Sequence, residues 1–481
     1  MNHTLIQKVL GVLLICEGGI LIIPLLIAVF FRESCCYMPF IIAIFTAFIS
    51  GGLLNCLKPE STKIGYKEGF AIVTFGWLLT SIIGALPFYF GGILPSYLDA
   101  LFETVSGFTT TGATVLNNVE AIPYSFNFWR CFTHWIGGMG ILVLTLAVSP
   151  SVGGSFQVLK AESPGPMSNK KIAPSVAKTA QILYGTYIII TLLEIILLYF
   201  GGMSLFDAVI HTFATVGTGG FSSKNQSIGA YNSLYIEIVV AVFMVMSGTN
   251  FSLYFHLYNK KSFNFFKNEE FRFYIIVIAI SIAVISINLF GNVYSSIGQS
   301  LRYAMFQVSS IITTTGFATA DFDLWPDFSK GILMLLMFFG GCAGSTAGSI
   351  KHIRILMLIK NAKREMLKVF HPNAVMSIRI DGKTIPDEVM QKVTNFFFLF
   401  ISIFFIMTLL VALQGLDLIS AASSVAATLG NVGPGLGLVG PTMNYGGMTA
   451  LTKILLIICM LIGRLELYTV LVLFMPSFWR N

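Results

Sequence analysis

Apolar runs of about 20 residues, each long enough to cross the ~30 Å hydrocarbon core of a bilayer, recur along the whole of this 481-residue chain. They are expected near 10–31, 38–57, 68–92, 129–149, 180–201, 232–257, 272–291, 329–359, 393–414 and 446–475. In hydrocarbon every backbone N–H and C=O needs an internal partner, so runs of this length fold as helices. Charged residues make up 11% of the chain, against about 25% in soluble proteins. The fold class is therefore an all-α polytopic membrane protein. No small-residue cleavage site follows the first run, so no cleavable signal peptide is expected.

The polar residues exclude most catalytic classes. Seven cysteines (Cys16, Cys35, Cys36, Cys56, Cys131, Cys342 and Cys459) are scattered without metal-ligand spacing, which argues for small buried apolar side chains rather than disulfides. The six histidines include no i, i+4 pair, and neither a GxSxG elbow nor a Walker loop is present. An enzyme is not expected, nor a cofactor in this chain.

Charge sets the topology. Lys58, Lys63 and Lys67 share one loop, Lys160, Lys170, Lys171 and Lys178 another, and Lys260, Lys261, Lys267 and Arg272 a third; Lys351, Arg354, Lys360, Lys363, Arg364 and Lys368 form a fourth group. Alternate loops carry Asp99, Glu120, Asp207, Asp321, Asp323, Asp327 and Asp417 instead. The positive-inside bias puts the basic set in the cytoplasm. The formal charge of +7 is thus topological and does not indicate nucleic-acid binding.

On the outer side lie four related stretches: "DALFETVSGFTTTGAT", "DAVIHTFATVGTGGFS", "YAMFQVSSIITTTGFA" and "SAASSVAATLGNVGPG". Aligned on Gly112, Gly220, Gly316 and Gly433, each has alanine twelve residues earlier (Ala100, Ala208, Ala304, Ala421). Nine earlier each has a polar side chain (Glu103, His211, Gln307, Ser424), and six earlier a small one (Ser106, Ala214, Ser310, Ala427). A period near three marks one face of a short helix. Each repeat then reads as span, short re-entrant helix, glycine turn, span. Non-helical backbone at membrane depth must be buried in protein or line water, and four copies satisfy this as a pseudo-fourfold ring around one pore. The turns Thr110-Thr111-Gly112, Thr218-Gly219-Gly220, Thr314-Thr315-Gly316 and Asn431-Val432-Gly433 are degenerate relatives of the Thr-Val-Gly core of potassium-channel filters, whose carbonyls replace an ion's hydration shell. Helix C-termini aimed at the axis favour cations as well. A weakly hydrated monovalent cation is the expected ion at these twelve residues. Tight outer loops are also often glycine-rich, but four in register are not explained that way.

These residues resemble the Trk/Ktr/HKT superfamily of cation transporters, most closely its bacterial TrkH/TrkG potassium-uptake subunits. The motifs are "SGFTTTGATVL", "HWIGGMGI", "TTTGFATADF", "GGCAGSTAGSIK" and "GRLELYTVLVLF", and the likeness covers nearly the whole chain. Residues 10–57 look like the extra two-span leader of the TrkH branch. The resemblance implies potassium uptake in a bacterial inner membrane with the filter facing outside, a homodimer, and control by a TrkA-like cytosolic ring that binds nucleotides. Some sodium-favouring members carry serine at the first filter glycine, so Gly112 implies potassium preference.

"GGCAGSTAGS", from Gly340 through Gly341, Cys342, Ala343, Gly344, Ser345, Thr346, Ala347 and Gly348 to Ser349, interrupts a span with residues that hold a helix poorly. Small residues also serve close helix packing; the resemblance implies a loop that blocks the pore and swings aside. Arg464 lies in the last span, where an ionisable residue marks a functional site. An ion pair that only stabilises the helix is the other reading, although Glu466 at i+2 points to another face. The resemblance implies that Arg464 faces the axis below the filter as a positive barrier. Glu194 and Glu237 lie within or near spans without an assigned partner. In the cytoplasmic segment, "SIRIDGKTI" predicts a hairpin turning at Asp381-Gly382, too small to stand alone.

The expected units are a leader (1–60), repeat one (61–158), repeat two (159–260), repeat three (261–360), a cytoplasmic segment (361–392) and repeat four (393–481). A transporter of inverted repeats fits poorly, because all four turns share one side. Channel-like flow and ion-coupled symport both remain compatible with the sequence.

Overall fold

The computed structural model describes residues 1–57, 59, 64–140, 176–254, 263–374 and 376–480. Lys58, Lys63, Lys160, Lys170, Lys171, Lys260 and Lys261 of the topology argument lie outside these residues. Two long helices, α1 (His3–Phe30) and α2 (Ser34–Asn55), form the leader hairpin. Its tight turn is anchored to the rest of the chain by Glu33, whose carboxylate accepts the Tyr124 and Ser125 amides at 2.6 and 3.0 Å. Glu33 thereby satisfies orphan donors at the start of another helix.

Four units of one plan follow. The first has α3 (Tyr66–Phe90), short α4 (Tyr97–Phe108) and α5 (Tyr124–Gly138). The second has α6 (Val176–Phe200), short α7 (Leu205–Val216) and α8 (Leu234–Ser247). The third has α9 (Glu269–Leu289), short α10 (Ile297–Ile312) and α11 (Asp327–Leu336), with α12 (His352–Phe370) after a loop. The fourth has α13 (Asp387–Ala412), short α14 (Leu418–Leu429), α15 (Ala450–Arg464) and the one-turn α16 (Tyr468–Leu471). Side chains such as Phe30, Phe200, Ile287 and Leu413 are exposed, as hydrocarbon-facing positions require, while Trp77, Trp129, Tyr187, Tyr274, Phe102 and Phe306 fill the interior.

The sequence expects an unbroken second span in every repeat but the third. The structure differs. Six helices among the described residues are long and apolar enough to cross a membrane (α1, α2, α3, α9, α13 and Ala180–Phe200 of α6), and the last pair bends by 114° after Arg464. The second helices end at Gly138, Ser247, Leu336 and Arg464; residues 141–149 and 255–257 of the spans expected at 129–149 and 232–257 lie outside the described residues. Close approach explains two of these ends. A Cβ on Gly137 would overlap the Phe108 carbonyl, and one on Gly463 the Leu429 carbonyl. These two second helices press onto the ends of short helices at positions that lack a side chain. The span read as 446–475 is accordingly two pieces, with Glu466 and Leu467 at φ 55° and 60° between them.

The hairpin forms as the sequence predicts: β1 (Arg379–Ile380) pairs antiparallel with β2 (Lys383–Thr384). Asp381 and Gly382 have φ of 49° and 74°, as a two-residue hairpin turn demands. Much of its support comes from this chain. Asp381 accepts from Asn268 Nδ2 and the Glu269 amide, both at 2.8 Å, and Ile378, Ile380 and Ile385 pack with Ile353, Met357, Met390 and Val393. Gly382→Val forces a β-branched residue into a left-handed conformation that costs about 1–2 kcal/mol. Faster proteolytic nicking within 376–386, with membrane insertion intact, is the expected result; parental nicking would show that the turn does not hold the segment.

Candidate permeation site

Three of the four short helices, α4, α7 and α14, begin on side-chain caps. Ser96 accepts from the Asp99 amide at 3.1 Å, Ser204 from Asp207 at 3.0 Å and Asp417 from Ser420 at 3.1 Å, each worth about 1 kcal/mol. The C-terminal ends of all four short helices run directly into the four turns. There the backbone repeats one pattern. Thr110, Thr218, Thr314 and Asn431 have φ of 54°, 56°, 56° and 54°, while Gly112, Gly220, Gly316 and Gly433 have 80°, 77°, 85° and 100°. The residue between each pair is not left-handed. Such alternation turns successive N–H groups to one side of the chain and so leaves successive carbonyls on the other.

The turns close into a ring. A Cβ on Gly112 would overlap the Gly219 carbonyl oxygen, one on Gly220 that of Thr315, and one on Gly316 that of Val432. A Cβ on Gly433 would lie 2.6 Å from the Thr111 oxygen. Every glycine therefore abuts the penultimate carbonyl of the next turn, in the order one, two, three, four and back to one. The fourth seam also has a side-chain bond, Asn431 Nδ2 to Thr111 Oγ1 at 3.0 Å. The second turn has glycine at its middle position because the ring of His134, which bonds the Gly107 carbonyl at 2.7 Å, fills the space a Cβ at Gly219 would need. The fourth departs in another way: the Gly433 carbonyl accepts the Tyr445 hydroxyl at 2.7 Å.

The polar positions nine residues before the glycines brace the strands that follow. Glu103 accepts the Thr114 hydroxyl (2.9 and 3.0 Å) and the Val115 amide at 2.9 Å. His211 Nε2 meets the Ser222 hydroxyl at 2.8 Å, and Gln307 Nε2 reaches Thr319 Oγ1 at 3.5 Å. In the fourth repeat the neighbouring Ser423 does this work, accepting the Leu436 amide and donating to its carbonyl, both at 3.0 Å. One side of the ring opens on a cavity of about 150 Å³ lined by all four glycines.

On the other side lies the loop 340–349. Its ends are tied together, Gly340 N to Ile350 O at 2.9 Å and Ile350 N to Phe338 O at 3.3 Å. Its arc rests on the second repeat through Cys342 N to Gly248 O (2.8 Å) and Thr346 Oγ1 to Val216 O (3.1 Å). It reaches the third turn through Gly348 N to Thr314 Oγ1 at 2.7 Å. Glu270 accepts from the amides of Ala343 (2.7 Å) and Ile353 (3.1 Å), and Lys351 donates to the Ala347 carbonyl. Ser349 Oγ donates to Met337 O at 2.8 Å, and Ser345 Oγ to Cys342 O at 2.6 Å.

Arg464 completes the arrangement. It is the last residue of α15, where the helix dipole favours a cation. Its guanidinium donates to the Thr346 carbonyl at 2.7 Å and to Gly137 and Gly138 at 2.5 and 2.9 Å. One side chain thus joins the loop to the first repeat. A second cavity of about 140 Å³, lined by Gly344, Gly348, Lys351, Gly463 and Arg464, lies here and shares no lining residue with the first. Glu466 pairs with Arg354, whose guanidinium also stacks 3.9 Å from the Phe396 ring centre. Glu237 pairs with Arg302 at 2.7 Å, and Glu194 is buried on α6.

Sequence reasoning passed over Arg130, His134 and Glu270, and read Lys351 only as a topology charge, although it is buried against the loop. Arg130 was findable. It is an ionisable residue within an apolar run, the same signal that marks Arg464. The other three act through backbone carbonyls and amides that no spacing reveals.

A chain built this way has close relatives. The family model TrkH, described as "Cation transport protein", matches residues 37–481. The Trk system potassium uptake protein TrkH of Escherichia coli K12 is 40% identical over the full length of both chains. The Trk system potassium uptake protein TrkG of the same strain is 36% identical over 95% of each. The crystal structure of the potassium transporter TrkH from Vibrio parahaemolyticus superposes with a TM-score of 0.90 at 35% identity, covering both chains completely. Full-length identity, the matched fold and the four-turn ring agree: the chain belongs to the TrkH family of cation transport proteins, integral membrane transporters rather than enzymes.

Proposed function

We propose that this chain takes up potassium across a bacterial inner membrane, through a filter made by the four turns and past a gate made by the loop 340–349 with Arg464. The observation that carries the reading is the ring, in which each turn glycine abuts the next turn's carbonyl. Twelve residues, Thr110 to Gly112, Thr218 to Gly220, Thr314 to Gly316 and Asn431 to Gly433, supply its backbone, and carbonyl rings suit weakly hydrated monovalent cations. The names of the relatives, all potassium uptake proteins, support potassium as that ion. The two cavities on opposite faces fit an outer vestibule and an inner mouth, with the filter facing outside.

The unit boundaries belong to the same proposal: a leader to 60, repeats ending at 158, 260 and 360, a cytoplasmic segment to 392, then repeat four. The first three fall outside the described residues. A homodimer and a TrkA-like cytosolic nucleotide-binding ring are its partners. Arg364 pairs with Asp387 at 2.7 Å within this chain, so exposed Lys363 is the cleaner probe of that ring. Lys363→Glu is expected to weaken co-purification with the ring while leaving insertion intact; unchanged co-purification would remove Lys363 from the docking surface.

The deciding experiment is ion flux in proteoliposomes under imposed potassium and sodium gradients, with the regulatory ring supplied. Potassium flux well above sodium flux is expected. Equal fluxes, or none of either, would overturn the reading. Deleting Gly341–Gly348 tests the gate in the same assay. Basal flux is expected to rise, because Gly348 and Thr346 no longer bridge Thr314, Val216 and Arg464. Parental flux and regulation would leave the loop a packing feature.

A further inference from the structure

The four seams of the ring are not held alike. Between the first and second turns stands a buried ion pair, Arg130 Nε to Glu103 Oε1 at 2.5 Å, with side chains 2% and 0% exposed. Glu103 grips the strand after Gly112 through Thr114 and Val115. Arg130 grips the strand after Gly220: its Nη1 donates to the Ser222 carbonyl at 3.0 Å, and its guanidinium lies 3.8 Å from the Phe221 ring centre. One turn along α5, His134 lies 4.1 Å from the same ring, centre to centre. A single charged pair therefore spans both turns from behind.

At the turns themselves the other seams use neutral contacts or rim carboxylates; the ion pairs Arg302–Glu237 and Lys453–Asp99 join repeats two to three and four to one away from the turn residues. The second and third turns meet through Gly229 N to Ala318 O at 3.1 Å and Ala318 N to Ser227 Oγ at 3.2 Å. The third and fourth meet through Gly437 N to Asp323 Oδ1 at 3.1 Å, and the fourth and first through Asn431. Stability alone does not account for the difference. Replacing a buried ion pair with apolar residues is often neutral or favourable, because desolvation offsets the Coulomb gain. A guanidinium contributes something apolar packing lacks: a rigid planar fork that fixes two partners at set positions.

We infer that Arg130 and Glu103 are positioning residues for ion selection: the pair fixes the spacing between the first and second turns, and with it the opening a cation meets. This rests on the proposed filter. Neither side chain needs to touch the ion. Both act through the carbonyls of the strands they hold, and losing either leaves the other charge buried and unpaired, which is more costly than losing both.

The test measures the potassium-to-sodium flux ratio in proteoliposomes, on detergent-purified protein that remains monodisperse. Glu103→Gln and Arg130→Gln are each expected to lower the ratio about tenfold, the effect of shifting ~1.4 kcal/mol. The double variant is expected to recover part of it, because no lone charge remains. Arg130→Lys, which keeps the charge but not the fork, is expected to fall between parent and Arg130→Gln. A role confined to folding would lower the yield and leave the ratio parental in every assembled variant, and that result would overturn the inference. Should the single variants fail to assemble, Thr114→Val decides: it removes one donor to Glu103, and a parental ratio there would also overturn it. Gly112→Ser, run alongside, separates the two ideas. If it lowers the ratio and the pair variants do not, only the inference falls; if it leaves the ratio unchanged, the filter assignment falls first.

Discussion

Gly112→Ser is expected to remove most of the preference for potassium over sodium. The added Cβ would overlap the Gly219 carbonyl oxygen, so either that oxygen or the first turn must move. The second turn has little room to yield, because Gly219 itself packs against the His134 ring. Serine must also adopt a φ near 80°, a left-handed conformation costing about 1–2 kcal/mol. A loss of only ~1.4 kcal/mol in discrimination is tenfold in the flux ratio, so a fall of at least about tenfold is expected. The positions should not be equal. Gly220→Ser and Gly316→Ser meet the same overlap, whereas a Cβ on Gly433 would lie 2.6 Å from the Thr111 oxygen, and Gly433 already departs from the pattern through Tyr445. Flux ratios from the four variants test this order. A parental ratio in Gly112→Ser would take that residue out of the filter, and Gly433→Ser as the most damaging of the four would contradict the ring geometry.

The architecture was legible because its signals are long or repeated. Apolar runs of about 20 residues recurring along the chain mark membrane spans, and four stretches aligned on Gly112, Gly220, Gly316 and Gly433 expose the repeat even where the turn residues diverge, as at Thr218-Gly219-Gly220 and Asn431-Val432-Gly433. Glycine marked the left-handed position at the end of each turn. It did not mark the one two residues earlier, where Thr110, Thr218, Thr314 and Asn431 hold φ near 55°, a conformation that threonine disfavours and asparagine tolerates. Each is the left-handed residue that ends its short helix: the next amide donates back into the helix, Thr111 to Ser106 O at 2.9 Å, Gly219 to Ala214 O at 2.8 Å, Thr315 to Ser310 O at 2.9 Å and Val432 to Ala427 O at 2.7 Å, a cap that usually takes glycine. The breaks in the second helices were hidden for a related reason. Gly137, Gly248 and Gly463 look like tolerated glycines in apolar runs, and the carbonyls or rings that exclude their side chains lie far away in sequence. The same distance hid the bonds of Arg464 to positions 137, 138 and 346.

Those partners change what Arg464→Ala should do. In the proposed pore, a fixed charge near the axis would repel a cation by roughly 4 kcal/mol at 4 Å and an effective dielectric near 20, with the α15 dipole offsetting part of that. The structure adds a mechanical effect. The guanidinium is a strut between the Thr346 carbonyl of the loop and the Gly137 and Gly138 carbonyls of the first repeat. Hydrogen bonds to a charged group are each worth about 1.5–3 kcal/mol, so losing the bond from Arg464 to the Thr346 carbonyl favours the displaced loop by about ten- to a hundredfold. Both effects act in the same direction: Arg464→Ala is expected to raise basal potassium flux by at least about tenfold, with the potassium-to-sodium ratio nearly parental because the ring lies above it. Arg464→Lys separates the two. The charge remains, but one ammonium on a flexible stem lacks the planar fork that bridges Thr346 to Gly137 and Gly138, so intermediate flux is expected. If charge alone set the barrier, the lysine variant would match the parent; if bridging alone did, it would match alanine. Should the alanine variant fail to assemble, Arg464→Gln, neutral but able to donate, takes its place. Parental flux in an assembled neutral variant would leave Arg464 a structural tie and remove it from the gate.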